Sequence, residues 1–350
     1  MKTLDSIFPI AFSNTMMSDI WKCELYFFRS HCQKLVSVNK KSSDLLAGGH
    51  FAKGCELVRK AYFNENLSID GSIEKGYNYI LDAEDTGDSI KSNERMAVVL
   101  EKYFKRFPLD SELTPVKLVN GEHAIEYNFE FDLGIPHPEL EGVNLTYKGK
   151  LDGLYERRFQ GKRTHCYVVD EKTTGQVSRI KGTKLPDLIE EENLYKVDGQ
   201  FIGYHWAARQ LGIQTTGSLI YKVPVLTNHE DAFELNVPIT DFMIGHWFTS
   251  TVNKIQEITE KYKYFKEKES LIGFSPQYAF YPSYTGNSCL AYRRPCAYTE
   301  GCKIPEGEEI LMSSMKQVVW DSIERKEVSL SDYKKDRYIT HDTGRTKDIS

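Results

Sequence analysis

The chain has 350 residues, of which 40% are hydrophobic and 27% are charged. At about 150 residues per domain, this length allows roughly two domains, and the apolar fraction is enough for a sizeable buried core. No apolar run approaches the roughly 20 residues that cross a bilayer, which excludes a transmembrane protein. The 45 basic and 50 acidic residues give a formal net charge of -5. Overall charge therefore does not favour nucleic-acid binding, which would need a local basic surface.

The N-terminus and the cysteine content favour a cytoplasmic protein. Asp5 precedes the apolar patch at residues 7–12. The chain lacks the basic segment with which a secretory signal begins. Its seven cysteines are an odd number and only a small fraction of the chain. Such a content is not that of a disulfide scaffold, so we expect reduced cysteines.

The first hundred residues show the periodicity of helices. Ser13 is an N-cap residue type, and apolar residues then recur every three or four positions as far as Phe28. This spacing predicts an amphipathic helix that carries Cys23. The same spacing predicts helices around residues 52–63 and 96–104.

From residue 124 the pattern changes to that of strands. Ile125, Tyr127, Phe129 and Phe131 alternate with polar residues, which predicts a half-buried strand. Two further strands are predicted over residues 145–155 and 166–170, with a turn at 160–161. A helix over 194–211, strands near 218–223 and 232–237, a long helix from 240 or 241 to about 268, and a shorter helix after residue 305 follow. Strands bracketed by helices indicate the α/β or α+β class.

Carboxylates are predicted to lie at the ends of neighbouring strands. Glu126 is on the polar face of its strand, Asp152 follows residues 149–151, and Asp170 and Glu171 follow two valines. Converging carboxylates bind Mg²⁺ or Mn²⁺, and the metal lowers the pKa of bound water and neutralises phosphate charge. Lys172 lies on the same strand face as Asp170, where a cation can orient water or stabilise developing charge. Plain solvation of these strand ends is the alternative.

Three short motifs occur in order along the chain: Gly149-x-x-Asp152-Gly153, then Asp170-Glu171-Lys172 after a hydrophobic strand, then Gln200-x-x-x-Tyr204. Together they resemble the PD-(D/E)XK nuclease superfamily, in its RecB-like and CRISPR-associated exonuclease branch, and the resemblance covers nearly the whole chain. It implies an α/β fold with a restriction-endonuclease-like mixed sheet flanked by helices. It also places Gln200 and Tyr204 beside the metal and DNA, and their i, i+4 spacing puts both on one helix face.

The resemblance implies a metal-dependent deoxyribonuclease, with exonuclease activity favoured over endonuclease activity. Single-stranded DNA or DNA ends are the expected substrates, in replication, recombination or repair. Glu126, Asp152, Asp170 and the carbonyl of Val169 or Glu171 would hold one or two Mg²⁺ or Mn²⁺ ions. The alternative is a DNA-binding recombination or structural partner with a weak or inactive nuclease site. Cleavage polarity and oligomeric state stay open.

One histidine departs from the pattern of this branch. The branch commonly has a histidine metal ligand three or four residues before a Leu-Glu pair, where this chain has Ala52. His50 lies two residues earlier, and a two-residue shift on a helix turns a side chain by roughly 200°. We therefore expect a site without His50. The alternative is a shifted turn that brings His50 to the metal.

The cysteines indicate a second metal site. Cys289, Cys296 and Cys302 lie in an irregular segment, where three thiols suggest a metal that needs a fourth ligand. Cluster-containing members of the same branch take that ligand from an N-terminal helix, which implies a [4Fe-4S] cluster completed by Cys23, with Cys32 as the substitute. Zinc is the chemical rival. Four unrelated reduced cysteines are the remaining alternative.

Basic residues near the predicted metal strands are candidates for DNA contact. Arg157, Arg158, Lys162 and Arg163 lie around the turn between these strands, and Arg179 follows the strand that carries Lys172. Local positive charge can bind phosphates in a chain of negative net charge. An ordinary solvated loop is the alternative.

These predictions divide the chain into four regions. Residues 1–110 form a helical region with the first cluster cysteine, and residues 111–240 form the nuclease core. Residues 241–325 form a long helix and a cysteine-rich lobe, and residues 326–350 form a charged tail. The resemblance implies that both chain ends build the helical iron-sulfur lobe.

Overall fold

The computed structural model describes residues 4–36, 43–119, 121–159, 162–183, 185–225, 231–283, 288–293, 295–304, 307–321, 326–330 and 333. At residues 159, 162–164, 291–293, 320, 321, 326 and 327 it describes the backbone alone. Along these ranges, no helix combines the length and the apolar character that crossing a lipid bilayer requires.

The helices of the described ranges are α1 (Asn14–Lys22), α2 (Glu24–Phe27), α3 (Ser43–Phe63), α4 (Ile69–Asp82), α5 (Asn93–Arg106), α6 (Leu188–Asn193), α7 (Gly199–Gln210), α8 (Asp241–Lys268), α9 (Thr299–Lys303) and α10 (Gly307–Ser314). A π-helical turn covers Phe28–Cys32, and 3₁₀ turns cover Pro276–Tyr278 and Ser288–Arg293. The strands are β1 (Ala11–Phe12), β2 (Leu35–Val36), β3 (Leu113–Pro115), β4 (Ile125–Pro136), β5 (Asn144–Phe159), β6 (Lys162–Thr174), β7 (Gly217–Pro224), β8 (Phe233–Pro238), β9 (Lys316–Asp321) and β10 (Lys326–Ser329).

The chain divides into two compact units, each built from separated segments. One unit comprises residues 1–39, 130–148 and 249–350, and is called the terminal unit here. The other comprises residues 40–129 and 149–248, and is called the central unit. Each unit therefore combines segments that lie far apart in the sequence.

A mixed sheet forms the middle of the central unit. β5 and β6 are antiparallel, β6 and β7 are parallel, and β7 and β8 are antiparallel, while β3 pairs with β5. In the terminal unit, β1 runs parallel to β5 at residues 146 and 147. The prediction of an α/β protein with a mixed sheet flanked by helices is confirmed.

The two faces of the sheet in the central unit carry different side chains, because neighbouring residues of a strand point to opposite faces. Val169 of β6 belongs to a core with Leu219 and Tyr221 of β7 and with residues of α3, α4 and α5. Asp170 and Lys172 of β6 lie on the other face, where α7 packs against the strand. This alternation separates an apolar face from a face that carries charged groups.

The terminal unit has an aromatic core and a small sheet of its own. Phe28 stacks on Phe280 with ring centroids 4.4 Å apart and meets Phe265 of α8 edge to face at 4.8 Å. β9 pairs antiparallel with both β2 and β10. Residues 326–329, the start of the predicted charged tail, therefore form a strand. The remainder of that tail lies outside the described residues, apart from residues 330 and 333.

The predicted N-terminal helix is interrupted at Cys23. The backbone there is extended, with φ -168° and ψ 114°, and the Cys23 N–H donates to the carbonyl of Asp19 as a C-cap. α2 then starts with Glu24, which accepts hydrogen bonds from Lys254 and Lys261 of α8. The apolar periodicity continues across this break, which explains why the sequence predicts one helix.

Candidate active site

Antiparallel pairing brings the first two predicted metal ligands side by side. Gly153 of β5 pairs with Val169 of β6, so Asp152 and Asp170 lie next to each other one position further along. The Glu171 N–H donates to Asp152 Oδ2 at 3.4 Å. The register of β5 and β6 thus joins the G-x-x-D and (D/E)-x-K motifs in one site.

Asp170 is a buried carboxylate with few partners. Its side chain is inaccessible to solvent, and neither oxygen accepts a hydrogen bond of regular geometry from the described protein atoms. Lys172 Nζ lies 2.8 Å from Asp170 Oδ2. Burial raises the pKa of Asp170 to about 6, although the Lys172 ammonium opposes the shift. A buried carboxylate whose nearest described partner is one ammonium group keeps oxygen lone pairs available to a cation.

Asp152 adds a second carboxylate of raised pKa. Burial is the largest cause, and the negative charges of Asp170, Glu171 and Glu126 raise the pKa further. Carboxylates that share a buried place repel each other when both are ionised. A divalent cation would offset this repulsion, so the pair fits the predicted Mg²⁺ or Mn²⁺ ligands.

Glu126 joins this group from β4. Its backbone has φ 53°, in the left-handed region that few residues other than glycine adopt. Burial raises the pKa of its carboxyl group, and the ion pair with Lys150 opposes the shift. Strained backbone at a buried acid is typical of functional sites.

Glu56 of α3 is a further candidate, near Lys150 and Glu126, that the sequence did not single out. It is 6% exposed and ion-pairs with Lys53 and Lys60, each at 2.8 Å, and with Lys150 at 3.8 Å. Burial raises its pKa, but the lysines outweigh burial and the net shift is downward. The Cys55-Glu56 pair stands where the branch has Leu-Glu, which is the signal that could have identified this residue.

Glu171 points away from the Asp170 side chain. It forms a buried ion pair with Arg59, and Tyr103 Oη donates to Glu171 Oε1 at 2.9 Å. These partners belong to α3 and α5, on the apolar face of the sheet. Only the backbone carbonyl of Glu171 is therefore a candidate ligand, as the sequence interpretation allowed.

His50 has a partner of its own. Its Nε2 donates to the carbonyl of Glu84 at 2.8 Å, at an exposed position. The expectation of a site without His50 stays a prediction.

α7 places the predicted positioning residues on one face. Asp198 caps the helix by accepting from the Gln200 N–H at 2.7 Å, and Gln200 Nε2 donates to Tyr204 Oη at 2.8 Å. The Tyr204 ring meets Phe129 edge to face, with centroids 6.3 Å apart. A Cβ on Gly149 would lie 2.6 Å from that Phe129 ring, so the first glycine of the G-x-x-D motif makes room for it.

The predicted DNA-contact residues differ in their surroundings. Arg157 is half-buried over the ring of Tyr167 at 5.7 Å, and exposed Arg158 is paired with Glu156. Arg179 is exposed, beyond the end of β6. The side chains of residues 162 and 163, which are the predicted Lys162 and Arg163, lie outside the described residues.

In the terminal unit, the four predicted cluster cysteines line one cavity: Cys23, Cys289, Cys296 and Cys302. The Ser283 N–H donates to Cys23 Sγ at 3.4 Å, and Cys289 Sγ donates to the Ser283 carbonyl at 3.4 Å. The Cys296 N–H donates to the Cys289 carbonyl at 2.8 Å. Cys32 does not line this cavity and is fully buried elsewhere.

Burial and neighbouring charges shift the pKa values of two thiols in this cavity. Burial raises the pKa of Cys296 and Cys302, and the neighbouring cysteines raise both further. Arg29, only 1% exposed, donates to Cys302 Sγ at 3.1 Å and to the carbonyl of Gly301 at 3.0 Å. Four thiols that line one cavity are chemically suited to an iron-sulfur cluster or zinc, because a bound metal displaces the thiol protons that burial retains.

Neither site has its candidate ligands already gathered around one point. Among the described residues, no three His, Cys, Asp or Glu side chains are arranged as a finished metal site. In the carboxylate group, the ammonium groups of Lys150 and Lys172 instead contact Glu126 and Asp170. These cations partly neutralise the buried acids.

Comparisons with known proteins leave the family open. No family model matches the chain, and no curated protein matches it. A protein from Eubacterium rectale, provisionally named an exonuclease, superposes with a TM-score of 0.38 and 16% identity over 71% of this chain and 80% of its own. The protein SSO0001 superposes with a TM-score of 0.24 and 14% identity over 63% of this chain and 77% of its own. At these TM-scores, neither likeness supports an argument about this chain.

Proposed function

We propose that the protein is a metal-dependent DNA exonuclease that hydrolyses phosphodiester bonds in single-stranded DNA or at DNA ends. The observation that carries this proposal is Asp170, a fully buried carboxylate without regular hydrogen bonds, beside Asp152 and Lys172. Asp170 lies inside β6 and not at a strand end as predicted, because β6 continues to Thr174. Plain solvation does not explain an acid that solvent does not reach. The three-motif resemblance supplies the reaction class and the substrate.

The acids would hold the divalent cation. Glu126, Asp152 and Asp170 supply carboxylate oxygens, and Glu171 supplies a carbonyl. These are the hard oxygen ligands that Mg²⁺ and Mn²⁺ prefer. A bound cation supplies a water of lowered pKa and neutralises phosphate charge.

Lys172 is suited to assist at the phosphate. Its side chain is 32% exposed, and its Nζ lies 5.7 Å above the Phe201 ring. Burial lowers its pKa, but the Asp170 carboxylate outweighs burial and the net shift is upward. The ammonium therefore stays charged at neutral pH, where it can hold a water or stabilise a phosphate oxygen.

The groups on α7 and the basic residues would position the strand. Gln200 and Tyr204 present hydrogen-bonding groups from one helix face. Arg157, Arg158 and Arg179, together with Lys162 and Arg163, would contact phosphates.

The terminal unit would hold a [4Fe-4S] cluster on Cys23, Cys289, Cys296 and Cys302. The shared cavity of the four cysteines supports this assignment, and the resemblance favours iron over zinc. Protein purified without oxygen should be brown and contain iron and sulfide. Colourless protein that contains zinc would refute the iron assignment.

End-labelled DNA digestion tests the nuclease proposal. Wild-type protein is incubated with single-stranded and duplex DNA, labelled at either end, with Mg²⁺, Mn²⁺ or a chelator. We expect metal-dependent cleavage that Asp170→Asn lowers at least about 100-fold. Asp110→Asn makes the same change at an exposed site of the central unit and should keep wild-type activity. Near-wild-type activity of Asp170→Asn would refute the site.

A second candidate is a DNA-binding partner with an inactive nuclease site. The observation that favours it is that His50 binds the Glu84 carbonyl, so the site lacks the histidine common in the branch. DNA binding without cleavage by either metal would support this alternative.

A further inference from the structure

A buried ionic cluster lies beside Lys172 on the same face of the sheet. Lys222 of β7 is directly opposite Lys172 of β6 in the parallel register and is only 5% exposed. Its Nζ lies 3.0 Å from Glu191 Oε2 of α6 and donates to Tyr195 Oη at 3.0 Å. The motif resemblance assigns no role to these three residues.

Glu191 connects this cluster to the chain that precedes it. The carboxylate is 2% exposed, and its Oε1 accepts from the Ser178 N–H at 2.6 Å. Burial raises the pKa of Glu191, but the Ser178 N–H and the Lys222 ammonium outweigh burial, and the net shift is downward. A charged pair therefore holds the segment after β6, helix α6 and strand β7 together.

Tyr195 links Lys222 to Lys172 through the ring of Phe201. The Tyr195 ring meets the Phe201 ring edge to face, with centroids 5.5 Å apart and an interplanar angle of 89°. Phe201 of α7 is fully buried, and the Lys172 ammonium lies over its ring. The ring of Phe201 therefore contacts both Tyr195, whose hydroxyl is bonded to Lys222, and the amine of Lys172.

The same anchor sets the start of α7. The Asp198 N–H donates to the Tyr195 carbonyl at 3.2 Å, and Asp198 is the N-cap of α7. Gln200 and Phe201 follow within the first turn. The backbone carbonyl of Tyr195 thus supports the N-terminus of α7, while the Tyr195 side chain contacts the Phe201 ring under Lys172.

We propose that Lys222, held by Glu191, is a positioning residue that fixes Lys172 through Tyr195 and Phe201. This inference rests on the proposed function, because the role given to the cluster is to place the Lys172 amine that assists cleavage. A buried ion pair rarely stabilises a fold more than apolar side chains of the same volume would. Unlike apolar side chains, the ion pair and its hydrogen bond hold Glu191, Lys222 and Tyr195 in one defined geometry.

Kinetics of four variants test the inference. Lys222→Met removes the charge, Lys222→Arg keeps it, and Tyr195→Phe removes only the hydroxyl. Ser218→Ala is the matched control, because buried Ser218 lies on the same face of β7 and also bonds to α7, at 2.9 Å from His205 Nε2. Misplacement of a reacting group by a fraction of an ångström lowers turnover, so we expect kcat to fall about 10-fold in Lys222→Met and Tyr195→Phe.

The split between kinetic constants separates positioning from general loss of structure. KM for DNA and the half-saturating Mn²⁺ concentration should stay within about 2-fold of wild type, because the strand and metal ligands are unchanged. Lys222→Arg should recover most of kcat, and Ser218→Ala should keep it. An equal loss in Ser218→Ala, or wild-type kcat in Tyr195→Phe, would overturn the inference. Tyr195→Phe keeps the test valid even if Lys222→Met fails to fold.

Amine labelling tests the placement of Lys172 without any cleavage assay. Reductive methylation of intact protein, followed by mass spectrometry, gives the labelling rate of each lysine. The Lys172 rate should rise severalfold in Tyr195→Phe and Lys222→Met and stay at the wild-type value in Ser218→Ala. Unchanged Lys172 labelling in all variants would refute the positioning role. If wild type cleaves no DNA, the proposed function fails, while the labelling result still decides the placement.

Discussion

Removal of the Asp170 charge should change how the stability of the protein depends on pH. The carboxyl group has a pKa of about 6 in the fold, against 3.8 for a free aspartate. Between these values the unfolded chain releases its proton first, so the free energy of unfolding falls by about 1.4 kcal/mol per pH unit as the pH rises. Over this interval the loss amounts to about 3 kcal/mol. Above pH 6 both states are ionised and the loss is constant.

Asp170→Asn has no carboxyl group to titrate at this position, so its stability should vary less between pH 4 and pH 7. Asp152 also has a raised pKa and acts in the same direction. Some pH dependence should therefore persist in the variant. The expected difference between wild type and Asp170→Asn is up to about 3 kcal/mol.

A bound divalent cation should restore the free energy of unfolding that wild type loses as the pH rises. At pH 7 the ionised carboxylates bind the cation, and a ligand at 100 times its Kd stabilises the fold by about 2.7 kcal/mol. Mn²⁺ should raise the free energy of unfolding of Asp170→Asn only slightly. Asp110→Asn, with its exposed site, should behave as wild type in both respects.

Urea unfolding followed by tryptophan fluorescence measures these effects. Each protein is unfolded between pH 4 and pH 7.5, with a chelator or with Mn²⁺. If the free energy of unfolding changed equally with pH in wild type and Asp170→Asn in the chelator, Asp170 could not be a buried carboxyl group of raised pKa. Equal stabilisation by Mn²⁺ would refute Asp170 as a ligand.

Three further changes have defined outcomes. Gln200→Ala should lower cleavage in the digestion assay by less than Asp170→Asn does, because a positioning group contributes less than a metal ligand; an equal loss would contradict this division of roles. Gly149→Ala should lower the free energy of unfolding in urea by about 1–3 kcal/mol, because its Cβ would overlap the Phe129 ring at 2.6 Å; unchanged stability would show that the ring moves aside. Cys23→Ser should lose iron on analysis, while Cys32→Ser, outside the cavity, should keep it; full iron in the first variant would exclude Cys23 as a ligand.

The strands and the motif residues could be predicted because their signals are local. Polar and apolar residues alternate through β4, and the i, i+4 spacing places Gln200 and Tyr204 on one helix face. The adjacency of Asp152 and Asp170 follows from hairpin pairing of two neighbouring strands. In each case, periodicity or short-range pairing determines the geometry.

Helix α4 and the start of α7 show where local signals fail. α4 contains Gly71 and Gly76, which lower helix propensity, yet Gly76 lets α4 approach α3 closely. A Cβ on Gly76 would lie 2.7 Å from the carbonyl of Gly54. The predicted helix from residue 194 begins only at Gly199, because Asp198 caps it there.

The supporting charges of the site depend on long-range contacts that no local pattern records. Glu56 and Lys150 are far apart in sequence and meet only in the folded central unit. In the sequence, Lys222 is a charged residue within a largely apolar strand. Its partners Glu191 and Tyr195 contact it only in the folded chain. Pairing of distant segments supplies these partners, so they could not be predicted from spacing.

The most direct test of the central claim is the release of labelled nucleotides from end-labelled single-stranded DNA in Mn²⁺, with wild type and Asp170→Asn run side by side. Wild type should cleave this DNA, a chelator should stop the cleavage, and Asp170→Asn should lower it at least about 100-fold. Absence of cleavage by wild type with both Mn²⁺ and Mg²⁺, or cleavage by Asp170→Asn at the wild-type rate, would contradict a metal-dependent nuclease built around Asp170.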